Sequence, residues 1–272
     1  MKILALVENI AGHPACTPAH GLSLYIETAR HRLLLDAGPG EVLVQNALAL
    51  GVDLRQAELL VLSHGHYDHA DGIPHFAVLQ PNAPVYLRST AAGAYYSSSG
   101  EVHYIGMNPA VTKCQTLRWV TGEAAIDDEL TLFGDIPGRR HWPQSNLRLS
   151  RRDGDHFVQD CFEHEQCLVI RENGKSVLLS GCAHNGILNI LDRYRELYGG
   201  APDVVISGFH MKKTGEYTPE EIATIRETAQ LLTQWPCLFY TCHCTELAAY
   251  EMMKEIMGDQ LQYLHCGEQI EI

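Results

Sequence analysis

The chain has 272 residues, with 20 Lys plus Arg against 33 Asp plus Glu, a formal net charge of −13. Its basic pairs, Arg139-Arg140 and Arg151-Arg152, are isolated, so there is no stripe of the kind that neutralises nucleic-acid phosphates. No apolar run reaches the length of a membrane span. Met1 to Asn9 reads as a strand rather than a signal peptide. The expected compartment is therefore the cytoplasm, with neither membrane nor nucleic acid as partner. The nine cysteines are odd in number and scattered, unlike a disulfide framework; most are expected to be reduced, buried and inert.

In chain order, Lys2 to Glu8 reads as a strand. Leu22 to Glu27 and Arg32 to Asp36 form a hairpin through Ala29-Arg30-His31. Ala37-Gly38-Pro39-Gly40 leads into a helix from Glu41 to Leu50, closed by Gly51. Glu58 to Ser63 is a short apolar run bounded by turns, hence a buried strand, and Pro84 to Arg88 is another. Residues 97–160, rich in Gly, Ser, Pro, Asn and charge, read as loops and short hairpins over one face, with Trp119, Leu132, Phe133 and Trp142 giving partial packing. Gln166 to Arg171 and Lys175 to Ser180 flank Asn173-Gly174, a type I′ turn signal. A helix spans Gly186 to Tyr198, and a strand spans Asp203 to Ser207. Thr218-Pro219-Glu220-Glu221 is a capping box opening a helix to about Gln234. Cys237 to Thr241 is a strand, Thr245 caps a helix to about Met257, and Leu261 to Leu264 closes the chain.

The halves echo each other. Leu34-Leu35-Asp36-Ala37-Gly38, a helix, then Leu60-Val61-Leu62-Ser63-His64 is answered by Leu178-Leu179-Ser180-Gly181-Cys182, a helix, then Val204-Val205-Ile206-Ser207-Gly208-Phe209-His210. The expected architecture is one α/β domain over 1–272, two mixed β-sheets face to face with helices outside, and a loop-rich insertion around 97–160. Each His-bearing turn follows a strand, so the turns converge on one sheet edge.

Ser63-His64-Gly65-His66-Tyr67-Asp68-His69 packs three imidazoles and a carboxylate into six residues. Such ligands suit zinc, iron or manganese, and Gly65 lets the backbone turn between two of them. One loop cannot wrap four donors around one ion, so His64 and His66 are assigned to one ion and Asp68 and His69 to another. A chance surface cluster would rarely follow a buried strand.

His-x-His-x-Asp-His after an apolar strand is the signature of the metallo-β-lactamase superfamily, which the chain resembles. Leu33-Leu34-Leu35-Asp36-Ala37-Gly38 looks like that superfamily's first motif, and the resemblance implies an αββα sandwich in which Asp36 supports the metal loop. More narrowly, His20-Gly21-Leu22-Ser23, the His64–His69 run, Ser180-Gly181-Cys182-Ala183-His184-Asn185-Gly186-Ile187, Ser207-Gly208-Phe209-His210 and His243-Cys244-Thr245 resemble the dihydropterin–ribofuranosylaminobenzene phosphate synthase-like subgroup. Many superfamily members carry Gly-Asp where this chain has Gly181-Cys182, the Asp bridging both ions. Cys182 is a thiolate ligand or a small buried residue, and the second reading is preferred. His184 is expected to complete the first ion's shell. The resemblance makes His243 the last ligand of the second ion. With an extended backbone, Cys242 and Cys244 would both point away from His243's face. Glu246 stands where the subgroup usually has Gly.

His210 is a metal ligand, a substrate contact beside Lys212 or Lys213, or a core histidine. His103 is a possible substrate contact. His13, His31, His75, His156, His164 and His265 are read as structural or solvent-exposed. The leading expectation is a metal-dependent hydrolase or transferase with one or two divalent ions, zinc first and manganese or iron as alternatives, acting on a small phosphorylated substrate. The ions would acidify a bound water and polarise the attacked group, with Asp68 and His210 as the catalytic side chains. The alternative is a redox or metal-sensing protein on the same fold. Its di-iron branch usually has Glu where this chain has His66, which disfavours it. A nuclease conflicts with the acidic charge.

Overall fold

The computed structural model describes residues 1–213 and 215–272. One seven-stranded sheet runs Gln269–Glu271, Lys2–Val7, Ser23–Glu27, Arg32–Leu35, Leu59–Val61, Val85–Arg88, Leu117–Val120. The other runs Leu261–Tyr263, Leu238–Thr241, Val204–Ser207, Lys175–Leu179, Cys167–Glu172, Leu130–Phe133, Ala124–Ala125. The echo in the sequence has a direct structural counterpart. In each sheet an antiparallel hairpin feeds parallel neighbours: Ser23–Glu27 with Arg32–Leu35, then Leu59–Val61 and Val85–Arg88; Cys167–Glu172 with Lys175–Leu179, then Val204–Ser207 and Leu238–Thr241.

The sheets face each other through a dry cluster that includes Ile3, Leu24, Leu33, Leu35 and Val61 from one and Leu168, Ile170, Val177, Leu179 and Ile206 from the other. Each such side chain removed from water contributes on the order of 1.5–3 kcal/mol. The outer faces are covered by helices: Val42–Ala49 and Ile73–Leu79 on the first sheet, and Ile187–Tyr198, Pro219–Leu232 and Leu247–Met257 on the second. This is the expected α/β sandwich. Among the described residues, no helix is long and apolar enough to cross a membrane.

Local expectations fared unevenly. Asn173 and Gly174 both have positive φ, 52° and 77°, as a type I′ turn requires. Both arms of the Thr218–Glu221 capping box are formed. Thr245 does not cap the last helix: its hydroxyl accepts from the Phe209 amide at 2.8 Å, and Glu246 occupies the cap position with φ 63°. The 97–160 stretch is more ordered than its composition suggests. Leu117–Val120, Ala124–Ala125 and Leu130–Phe133 extend the two main sheets, and a third sheet is built from His156–Gln159, Leu149–Asp153, Tyr95–Ser97 and His103–Tyr104. Leu132 and Phe133 are buried, whereas Trp119 is 48% exposed.

Candidate metal centre

Parallel strands within a sheet end on the same edge, so the turns after them meet. His64–His69 follows Leu59–Val61, Asp36 follows Arg32–Leu35, Cys182 and His184 follow Lys175–Leu179, His210 follows Val204–Ser207 and His243 follows Leu238–Thr241. The His64 loop is tight. A Cβ on Gly65 would lie 2.0 Å from the Ala91 carbonyl oxygen, so close approach of the neighbouring backbone demands glycine there. Asp36, fully buried, accepts from the Ser63 amide and hydroxyl (both 2.7 Å) and from His69 Nδ1 (2.6 Å). It sits at φ 61°, an uncommon conformation for a residue other than glycine.

His64, His66 and His184 form one group. Their rings lie 4.6 to 4.9 Å apart, and each presents a ring nitrogen within 4.8 Å of the others. The hydrogen bonds behind them assign the tautomers. The Ser63 hydroxyl spends its only proton on Asp36, so His64 Nδ1–H must donate to that hydroxyl, 2.9 Å away. His184 Nδ1 faces the Asn146 amide oxygen at 3.1 Å and is likewise the donor. Both Nε2 atoms therefore carry lone pairs, and they stand 3.3 Å apart. His66 Nε2 is buried without a partner. Burial, together with the neighbouring imidazoles, holds His64 and His184 well below the usual histidine range and His66 at about 3. Three neutral rings converging with unshared lone pairs fit a cation, since tetrahedral zinc places its nitrogen ligands about 3.3 Å apart.

Asp68, His69 and His243 form a second group. His69 Nε2 is 3.2 Å from His243 Nε2, and Asp68 Oδ2 is 3.5 Å from His243 Nε2 and 3.9 Å from His69 Nε2. Asn9 Oδ1 accepts from His243 Nδ1 at 2.8 Å, and Glu8 accepts from the His243 amide at 2.7 Å. Burial opposes charge on His69, but Asp36 and Asp68 outweigh it and raise the imidazole to about 9. Burial likewise pushes Asp68 up, and His69 and His243 outweigh it, holding the carboxyl well below its ordinary range.

The structure thus brings all six residues named from sequence into one cluster, with Asp36 behind the loop. Cys182 departs from expectation. Rather than lying behind the ligands, its Sγ is 3.2 Å from His69 Nε2 and groups with His64 and His69. Cys242 is buried between the sheets as expected, but Cys244 groups with Cys182 and His243. His243 has φ 49°, so the strand's alternation ends before Cys244. His210 packs against His184 with centroids 4.0 Å apart and ring planes tilted by 51°, and also approaches Cys182. His164 is buried and structural: Nδ1 accepts from the Gly65 amide at 3.0 Å, and Nε2 pairs with Asp160 at 3.0 Å.

Sequence reasoning missed several supporting groups. His20 Nε2 lies 3.3 Å from Asp68 and 3.0 Å from Lys212 Nζ, a role that the His20-Gly21-Leu22-Ser23 motif alone does not assign. Glu8, Asn9, Asn146 and Glu165 carry no spacing signal, yet Glu165 accepts from the His184 and Asn185 amides. Lys213 is paired with Glu221, leaving Lys212 as the lysine turned to the site. A cavity of about 230 Å³ opens over the cluster, lined also by Ser97, Ser99, His103, Ser145 and Arg148.

Residues 31–155 match the β-lactamase superfamily domain. The chain is 25% identical to the 7,8-dihydropterin-6-methyl-4-(β-D-ribofuranosyl)-aminobenzene-5′-phosphate synthase of Methanocaldococcus jannaschii, over 98% of this chain and 95% of that protein. It is 26% identical to an uncharacterized protein of the same organism, over 99% of this chain and all of the other. The crystal structure of a metal-dependent hydrolase of the β-lactamase superfamily superposes with a TM-score of 0.83 at 28% identity, over 100% of this chain and 99% of that one. The domain match and the whole-chain likeness in structure agree, and the chain has the metallo-β-lactamase fold.

Proposed function

We propose that this chain is a metal-dependent hydrolase or group transferase acting on a small phosphate-bearing substrate. His64, His66 and His184 would hold one divalent cation and Asp68, His69 and His243 a second, with zinc the first candidate. Bound there, the cations would supply Lewis acidity and an acidified water. Asp36 orients the loop and sets the His69 tautomer. Asp68 combines a ligand's position with that of a proton acceptor, its carboxylate 3.3 Å from His20. His210 and Lys212 are the donors available to an anion entering from the cavity.

The observation that carries the reading is a contrast of charge. The chain as a whole has net charge −13, yet the cavity wall carries Arg148 and Lys212, besides a Lys213 neutralised by Glu221, with Asp68 as its one carboxylate among the described residues. Two cations would add to that positive character, which suits a phosphoryl or diphosphate group better than a neutral amide. The relative named as a synthase supports attack by a second substrate as well as by water.

The test is turnover by metal-loaded protein on phosphodiesters, diphosphates, thioesters and lactams, with Asp68→Ala as the blank. Phosphoryl turnover that falls by about 10³-fold in the blank is expected. Turnover confined to thioesters or lactams refutes the proposal, as does phosphatase activity undiminished in Asp68→Ala.

A further inference from the structure

We propose that Cys244 is a thiolate ligand of the second cation, beside Cys182, so that this half of the centre selects a thiophilic divalent ion. The inference rests on the two-cation reading above. Three features of the chain lead to it.

First, Cys244, 1% exposed, presents Sγ within 4.8 Å of both Cys182 Sγ and a ring nitrogen of His243. An extended backbone would have turned it to the opposite face. The left-handed conformation of His243, φ 49°, breaks that alternation and brings two successive side chains to one side. Thr245 then fixes the turn, its hydroxyl accepting from the Phe209 amide at 2.8 Å.

Second, the sulfur occupies room made for it. A Cβ on Gly208 would lie 2.5 Å from Cys244 Sγ, so any larger residue at the end of that strand would displace the thiol. Third, the thiol makes a long hydrogen bond to the Cys182 carbonyl oxygen, at 3.6 Å, and a thiol is a weak donor. A cation has little to displace. On binding, the Sγ–H bond breaks, the proton leaves to solvent and an Sγ–cation bond forms. Two sulfurs added to His69, His243 and Asp68 favour zinc or cadmium over magnesium, calcium or manganese.

The probe is cobalt(II), loaded to saturation into metal-free protein, with cobalt per chain measured beside the near-ultraviolet sulfur-to-cobalt charge-transfer absorption. Wild type is expected to show the absorption. Cys244→Ser at equal cobalt content should retain roughly half of it, and Cys182→Ser/Cys244→Ser should retain none. Absorption unchanged in Cys244→Ser overturns the proposal. So does saturated wild type without charge-transfer absorption, a result that leaves the two-cation reading standing. Wild type that binds no cobalt sinks both. Should Cys244→Ser fail to fold, X-ray absorption of zinc-loaded Cys182→Ala gives the answer. A sulfur neighbour at about 2.3 Å supports Cys244 as ligand, and zinc bound with no sulfur neighbour overturns it.

Discussion

Around His64, His66 and His184 the ligand side chains rest on uncharged groups, the Ser63 hydroxyl and the Asn146 amide, and the imidazoles are held neutral. Around Asp68, His69 and His243 the His243 ring likewise rests on an amide, that of Asn9, but the His69 ring rests on the Asp36 carboxylate, which together with Asp68 raises its imidazole to about 9. The difference teaches how each half competes with protons for its cation. The first is a set of open lone pairs, and the second must give up a proton before His69 Nε2 can bind. Neutral imidazoles backed by neutral groups preorganise a site; an imidazole backed by a carboxylate, as His69 is, makes a stronger base that is also a stronger proton trap.

Removing Asp36 should collapse the contrast with the largest effect. Asp36→Ala strips three buried donors of their acceptor, and a loss of about 3–5 kcal/mol is expected in chemical unfolding. The variant should also fail to fill the second cation position. A loss below about 1 kcal/mol would show that the loop stands without this carboxylate.

The two halves should also separate by metal content. His184→Ala is expected to lose the first cation and keep the second, His243→Ala the reverse, each reading about one metal per chain by elemental analysis. Cys182→Ala should keep at least the first. Complete loss in Cys182→Ala would make that thiolate indispensable to both halves.

The stability of metal-free protein should sharpen the proton argument. His66, lowered to about 3, is neutral when folded and protonates on unfolding below its ordinary value of about 6.5. Its contribution is therefore lost as pH falls from about 6.5 toward about 3. His69, raised to about 9, stabilises the fold fully below about 6.5, and that contribution is lost as pH rises toward about 9. Calorimetry in chelator should find the highest Tm near pH 6.5, with slopes on either side of up to about 1.4 kcal/mol per pH unit per proton. Saturating zinc should flatten the alkaline side, because the cation takes the proton's place. An alkaline maximum in the metal-free protein would contradict the His69 assignment.

The smallest effect is expected at the cavity wall. Lys212→Ala leaves both ligand sets intact and should raise KM for a phosphorylated substrate by about tenfold, with the metal content unchanged. A fall in kcat alone would place Lys212 at the reacting atoms instead.

Much of this centre was legible because it is local. His64 to His69 lie within one turn after a buried strand, and the repeated hairpin–helix–strand pattern brings His184 and His243 to the same edge. What stayed hidden depends on single backbone angles or on distant partners. Cys244 reads as facing away until φ 49° at His243 is known. Glu8 and Asn9 reach His243 across some 235 residues of chain, and no spacing rule links them. The third sheet escaped notice because its strands are short and polar: Leu149–Asp153 reads LSRRD, with little of the alternation that marks a half-buried strand.

The central claim is that two separate ligand sets flank one cavity, and anomalous diffraction from zinc-loaded crystals tests it most directly. The account predicts two peaks per chain, one bonded by His64, His66 and His184 and the other by Asp68, His69 and His243, with ligand distances of about 2.0–2.3 Å. A single peak reached by neither His184 nor His243, or zinc bound away from the His64 loop, would contradict it.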